Sequence, residues 1–160
     1  MSDQRIFLDL EGVKGDSAFG TYKNKITIDS WNWSVGNSGD LHSKGSGGSY
    51  GGKPSMGDII LTKHVDSSSA TLIQAVLAQR SFKTAKLHIL TQDGTEWCKM
   101  SLSPVVITNL DVSSYGASAS ENIRLHFQKI QMDISSLDEE GKKTGGAVSM
   151  AFDITDQSKK

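Results

Sequence analysis

Residues 121–134 read Glu-Asn-Ile-Arg-Leu-His-Phe-Gln-Lys-Ile-Gln-Met-Asp-Ile. Ile123, Leu125 and Phe127 stand at odd positions, whereas Ile130, Met132 and Ile134 stand at even ones. A period of two is that of a strand with one buried face, so the buried face changes parity inside this segment. A strand survives that change only through a bulge or bend, and such bends curve sheets and close barrels. The same event occurs upstream, where Ile26 and Ile28 give way to Trp31, Trp33 and Val35. A second bend is therefore expected near Asp29-Ser30. Two long bent strands favour a β-barrel.

Further strands are expected over Ile6 to Leu10, from Ile59 to Leu61, at Leu87 and Ile89, over Glu96 to Leu102 and over Val105 to Val112. Asp93-Gly94 supplies a hairpin turn, and a final strand runs from Val148 to Ile154 after the loop between Gly141 and Gly146. One segment departs from alternation. After Asp66-Ser67-Ser68-Ser69, the residues Leu72, Ile73, Val76 and Leu77 recur at helical spacing, which predicts one amphipathic helix over about 67–80. Asp66 or a serine caps its first amides in this reading, and Arg80 complements the dipole at its end. The expected class is mainly β: a barrel of bent antiparallel strands with one helix.

Composition agrees with a single folded domain over residues 1–160, because 36% apolar residues argue against disorder while 16 glycines and two prolines suit strands and turns. The net charge of −1 offers no clustered positive field for nucleic acid or an anionic membrane surface, and neither partner is expected. No apolar run suits a signal peptide or a membrane span, so synthesis is expected to end in the cytoplasm. Cys98 is the only cysteine, beside Trp97, and is expected to be a buried inert thiol.

Eight of the 16 glycines fall in residues 36–57, GNSGDLHSKGSGGSYGGKPSMG. This stretch is too long for a hairpin turn. Gly47 to Lys53 fits all but the last position of the phosphate-loop pattern GxxxxGK[ST], and Pro54 stands where the hydroxyl should be. Proline has neither a hydroxyl for magnesium nor an N–H for phosphate, and the residues after Gly57 begin a strand rather than a helix. Nucleotide binding is set aside. A mobile linker and an extended arm touching another subunit remain.

No catalytic or metal pattern is assembled. His42, His64, His88 and His126 lie apart without ligand spacing, and no GxSxG or dinucleotide fingerprint occurs. His88 and Cys98 could face each other across the Asp93-Gly94 hairpin, which leaves a Cys/His pair open, although nothing in the sequence suggests the cleft and oxyanion site that catalysis also needs. Trp31 and Trp33 share a face that suits core or subunit contact, or the lining of a ligand site under the glycine stretch.

The order of these features resembles the Hcp family, the haemolysin-coregulated proteins of type VI secretion. The matching pieces are IFLDLEGVKGDS, then ITIDSWNWSVGNSG, the glycine-rich loop with its His42 and GGSYGGK, then DIILTKHVDSSSATLIQAVLAQRSFKTAKLHI and ENIRLHFQKIQMDI. The Lys63-His64-Val65-Asp66 junction is the most specific part. The resemblance implies a non-enzymatic structural protein without cofactor or metal. It implies head-to-tail hexameric rings stacked into a tube inside a contractile sheath, topped by a spike protein. It further implies small effector proteins carried in the lumen, and secretion without a cleavable signal peptide. The final strand is followed only by Thr155 to Lys160, so no fused C-terminal effector domain is expected. Leu41, His42, Lys44, Tyr50 and Lys53 are the candidate contacts between subunits or rings. The competing expectation is a monomeric barrel that binds a small ligand.

Overall fold

The computed structural model describes residues 5–39 and 53–155. In chain order the strands are β1 (Arg5–Leu10), β2 (Ile26–Ile28), β3 (Ser30–Asn32), β4 (Val35–Asn37), β5 (Pro54–Met56) and β6 (Ile59–His64). After the helix α1 (Ser69–Leu77) come β7 (Ser81–Phe82), β8 (Ala85–Leu90), β9 (Glu96–Tyr115), β10 (Ser118–Ile134) and β11 (Val148–Asp153). All pairings are antiparallel, along the path β2-β1-β8-β9-β10-β6-β3, with β11 on β10 and β7 on β9. A separate ribbon pairs β4 with β5 and carries the glycine-rich stretch between them.

The expected bends are present. At Asp29 the chain leaves the ladder of β1 and joins that of β6, pairing Ile28 with Ile6 and then Ser30 with Thr62. The Asp29 amide donates to the Thr62 carbonyl oxygen at 2.7 Å, so the turn itself lies against β6. One chain segment thus bridges the two edges of a curled sheet. The ladder does not close, however: among the described residues β2 and β3 make no pairing with each other, and the sheet is open rather than a closed barrel. The segment pairs with β1 only as far as Ile28 and with β6 only from Ser30, so no residue in it is paired on both sides.

The second bend involves both long strands. Inward pairs Leu125–Ile107 and Phe127–Val105 are followed by Ile130–Leu102 and Met132–Met100, so two residues separate the inward positions on each strand. β9 therefore runs through Ser103-Pro104 without a break, whereas the sequence suggested two strands there. Pro104 is exposed and lacks the N–H that a central ladder position needs, so the flip falls where a proline is tolerated. A bulge at Thr108 shifts the register once more, between Arg124 and Leu125.

Ile6, Leu8, Leu10, Ile26, Ile28, Ile59, Leu61, Leu87, Ile89, Met100, Leu102 and Val105 fill the concave side. The helix is shorter than expected and turned. Leu72 and Ala75 are buried and Val76 is half-covered against β9, but Ile73 and Leu77 face outward, the latter 76% exposed. The seam runs through Leu72, Ala75 and Val76, and at about 100° per residue Ile73 and Leu77 lie about 60° and about 100° past Val76, towards solvent. Arg80 does not lie in the last turn; its guanidinium stands 4.6 Å over the Phe82 ring. Among the described residues no helix is long and apolar enough to cross a membrane.

Candidate functional site

The strand-to-helix junction holds a polar cluster where the inward rows of β6 and β10 would otherwise be apolar. Lys63 continues the inward row of Ile59 and Leu61, Glu121 continues that of Ile123, and the register sets them opposite each other. Both are fully buried. The Lys63 ammonium donates to Glu121 Oε2 at 2.8 Å and to Ser69 Oγ at 3.2 Å, and it forms an ion pair with Asp66 Oδ1 at 3.1 Å. Glu121 Oε1 is buried without a hydrogen-bond partner. Extending the alternation of Ile59 and Leu61 by one step would have identified Lys63 as inward.

The serines before α1 each make a separate tie. Ser67 donates from its amide and its hydroxyl to Asp16, holding that carboxyl below its ordinary value of 3.8. Ser68 donates from both groups to Asp66, and among the described residues neither the Asp66 nor the Ser68 side chain bonds a helix amide, so the expected cap is not formed. Ser69 Oγ accepts from the Asp66 amide at 2.9 Å as well as from Lys63.

Outside the sheet, the segment after β1 folds back so that Phe19 and Tyr22 stack on Phe7, with ring centroids 5.6 and 5.0 Å apart. Tyr22 donates to Glu96 at 3.2 Å, and Glu96 also meets His88 Nδ1. Burial, then the Glu96 charge, pushes the Tyr22 phenol up to about 12. This places His88 on the outer face. Cys98 faces Ile89 on the inner face, so the Cys/His pair that the sequence left open is not formed. Burial pushes the Cys98 thiol up to about 11, away from the thiolate a nucleophile requires. His64 and His126 are likewise engaged, with Asp29 at 2.6 Å and Asp58 at 2.7 Å.

The residues proposed for a ligand lid are occupied structurally. Trp31 and Trp33 pack on the core, and the Trp33 indole N–H donates to the Gly57 carbonyl oxygen at 3.0 Å. A groove of about 680 Å³ lies on the surface, and its charged side chains already have partners: Asp16 with Ser67, Asp29 with His64, Arg5 over Phe19. Among the described residues no three His, Cys, Asp or Glu gather as a metal site.

Of the candidate contact residues, Leu41, His42, Lys44 and Tyr50 lie outside the described residues. Lys53 is exposed at the outer end of the β4–β5 ribbon, beside the glycine-rich stretch, where its amide donates to Ser38 Oγ at 3.1 Å and its carbonyl accepts from the Ser38 amide at 3.2 Å. Pro54 opens β5, so no helix follows the glycines.

Besides Ile73 and Leu77 on α1, and Val35 and Val65, apolar side chains remain uncovered at both ends of β10. On the inward side of β10 and β11, the pairs Ile134–Val148 and Met132–Met150 extend past the core, leaving Val148 76% and Ile134 41% exposed. At the far end of the β9–β10 hairpin, Val112 is half-exposed and Tyr115 is almost wholly so. The sequence pattern marked Val148, Met150 and Ile134 as one face but gave no sign that this face lacks a cover.

Comparison with known proteins assigns the scaffold. Residues 7–134 match the family model described as type VI secretion system effector, Hcp. The chain is 29% identical over 154 residues to protein Hcp1 of Pseudomonas aeruginosa, covering 93% of this chain and 94% of that protein. Its backbone is similar to a solved type six secretion system protein, with a TM-score of 0.86 at 22% identity over 95% of this chain and 96% of the other. It is also similar to Hcp1 from Salmonella typhimurium, with a TM-score of 0.80 at 20% identity and 97% coverage of each chain. A curled antiparallel sheet with one short helix at the Lys63–Asp66 junction, matched by a family model over most of its length, is a member of the Hcp family of type VI secretion proteins.

Proposed function

We propose that this chain is the single-domain, non-enzymatic tube subunit of a type VI secretion system. Copies join head to tail into hexameric rings, the rings stack into the inner tube within a contractile sheath under a spike protein, and small effector proteins ride in the lumen. The subunit is expelled with the tube. The observation that carries the reading is the pair of uncovered apolar surfaces. They lie at opposite ends of β10, and its 17 residues span about 50 Å of extended chain. Two different surfaces on one chain suit a heterologous contact, which forms a ring where the rotation closes. An apolar sheet face such as Ile134–Val148 gains by burial against a neighbour.

Leu41, His42, Lys44, Tyr50 and Lys53 belong to this reading as contacts between subunits or rings. The test is the solution mass by light scattering, combined with negative-stain images. A mass near six subunits with annular particles is expected, and a stable monomer across a wide concentration range would overturn the ring.

A further inference from the structure

We propose that Lys63 and Glu121, with Asp66 and Ser69, form a latch that holds α1 on the sheet, and that this latch rather than the apolar face of the helix decides whether α1 is attached. The helix has nine residues, a length at which an isolated helix is not stable in water. Its fully buried apolar anchors are Leu72 and Ala75 alone, and Ala75 contributes little area. No side chain at its N-cap position bonds a helix amide. What reaches the helix from the sheet is the Lys63 ammonium, bonded at once to Glu121 across the β6–β10 ladder and to Ser69 in the first turn. Ser69 in turn receives the Asp66 amide, fixing the chain that leads into the helix.

The latch is also imperfectly satisfied. Two carboxylates share one ammonium, and Glu121 Oε1 has no partner in a site without exposure. Buried polar networks are rigid when complete and costly when partly satisfied. The junction is therefore where the fold opens first, with α1 leaving as a unit while the β9–β10 ladder stays formed. Local openings of this kind lie below the global unfolding free energy.

Hydrogen exchange followed by mass spectrometry tests this on the full chain. In the wild type, amides of residues 70–77 are expected to exchange at least about tenfold faster than those of β9 and β10. Replacing the pair together, Lys63→Met with Glu121→Leu, removes the latch without leaving a lone buried charge, and such replacements commonly preserve overall stability. In that variant α1 is expected to exchange at least about tenfold faster still, with sheet protection unchanged. Unchanged α1 protection in a folded double variant would overturn the proposal, since Met and Leu packing would then hold the helix equally well. Should the double variant not fold, Asp66→Ala with Ser69→Ala decides: it leaves the β6–β10 ion pair in place and severs both links to the helix. Faster exchange confined to α1 supports the latch, and exchange identical to wild type overturns it.

Discussion

The Trp33 indole N–H donates to the Gly57 carbonyl oxygen at 3.0 Å, while the Trp33 ring lies 6.3 Å from that of Phe127. One residue thus ties the foot of the β4–β5 ribbon to the core. Trp33→Phe keeps an aromatic ring against Phe127 and deletes the donor. The expected loss is about 1 kcal/mol, the usual net worth of one hydrogen bond. Urea unfolding measures it, and an unchanged midpoint would mean that the indole bond adds nothing to the ribbon's attachment.

Gly15 is required by a close approach of two backbones. Its amide donates to the Asn24 carbonyl at 2.8 Å, and a Cβ there would lie 2.4 Å from the Lys25 carbonyl oxygen. No side-chain motion relieves a clash with backbone. Gly15→Ala is expected to destabilise by about 1–3 kcal/mol, the range for overpacking, through displacement of the segment that carries Phe19 and Tyr22. Gly146→Ala, where a Cβ meets nothing within 4 Å, is the control and is expected to change stability by less than about 0.5 kcal/mol. Equal effects at the two positions would refute the close-approach account.

Local alternation carried much of this fold. The parity changes at Asp29-Ser30 and between Phe127 and Ile130 gave both bends, because a buried face is written into a strand at every second residue. Whether the curled sheet closes depends on which edges meet, and Ile28 and Ser30 reveal their different partners only in three dimensions. The residues from Glu96 to Val112 looked like two strands, yet the opposite strand flips in step and the ladder continues through Ser103-Pro104. Ile73 and Leu77 looked like core because their spacing matches a helical stripe, while the seam follows Leu72 and Ala75. Lys63 and Glu121 escaped notice because charged residues at inward positions read as strand ends unless the alternation is carried through them. The exposed face of β11 was legible as apolar but not as uncovered, since cover comes from distant or separate chains.

Acid should loosen the attachment of the loop after β1. Asp16 sits below its ordinary 3.8 chiefly because the Ser67 hydroxyl and amide both donate to it. Between the two values the unfolded chain binds more protons than the folded one, so this contribution is complete above 3.8 and disappears as pH falls through the folded value. Asp133 and Asp153, held low by Ser149 and Thr155, act in the same direction. Asp16→Asn is expected to make the fall in melting temperature from pH 5 towards pH 2 shallower than in wild type. Parallel curves for the two proteins would show that the Ser67 bonds carry no linkage.

The Cys98 thiol is expected to resist alkylation in the folded protein. Burial, with Glu96 and Asp133 adding to it, raises it to about 11, and its inner-face position opposite Ile89 denies access. Iodoacetamide at pH 8 should label the native chain at least about 100-fold more slowly than the urea-unfolded chain, since only opened molecules react. Rapid labelling of the native protein would contradict the inner-face placement.

The apolar face of β11 distinguishes a contact surface from a defect of the isolated fold. Val148 and Met150 are 76% and 40% exposed, and their cross-strand partners Ile134 and Met132 stand on the same side. Charges placed there remain hydrated in a single chain, so Val148→Asp with Met150→Lys should alter its stability by no more than about 0.5 kcal/mol per site. In an assembly the same charges would be buried without partners, a cost of several kcal/mol at each interface. The expected outcome is a folded monomer with the circular dichroism spectrum of wild type and no annular particles. An assembly of unchanged mass would remove this face from the subunit contact and leave the far end of the β9–β10 hairpin, at Val112 and Tyr115, as the surface to test by the same substitution.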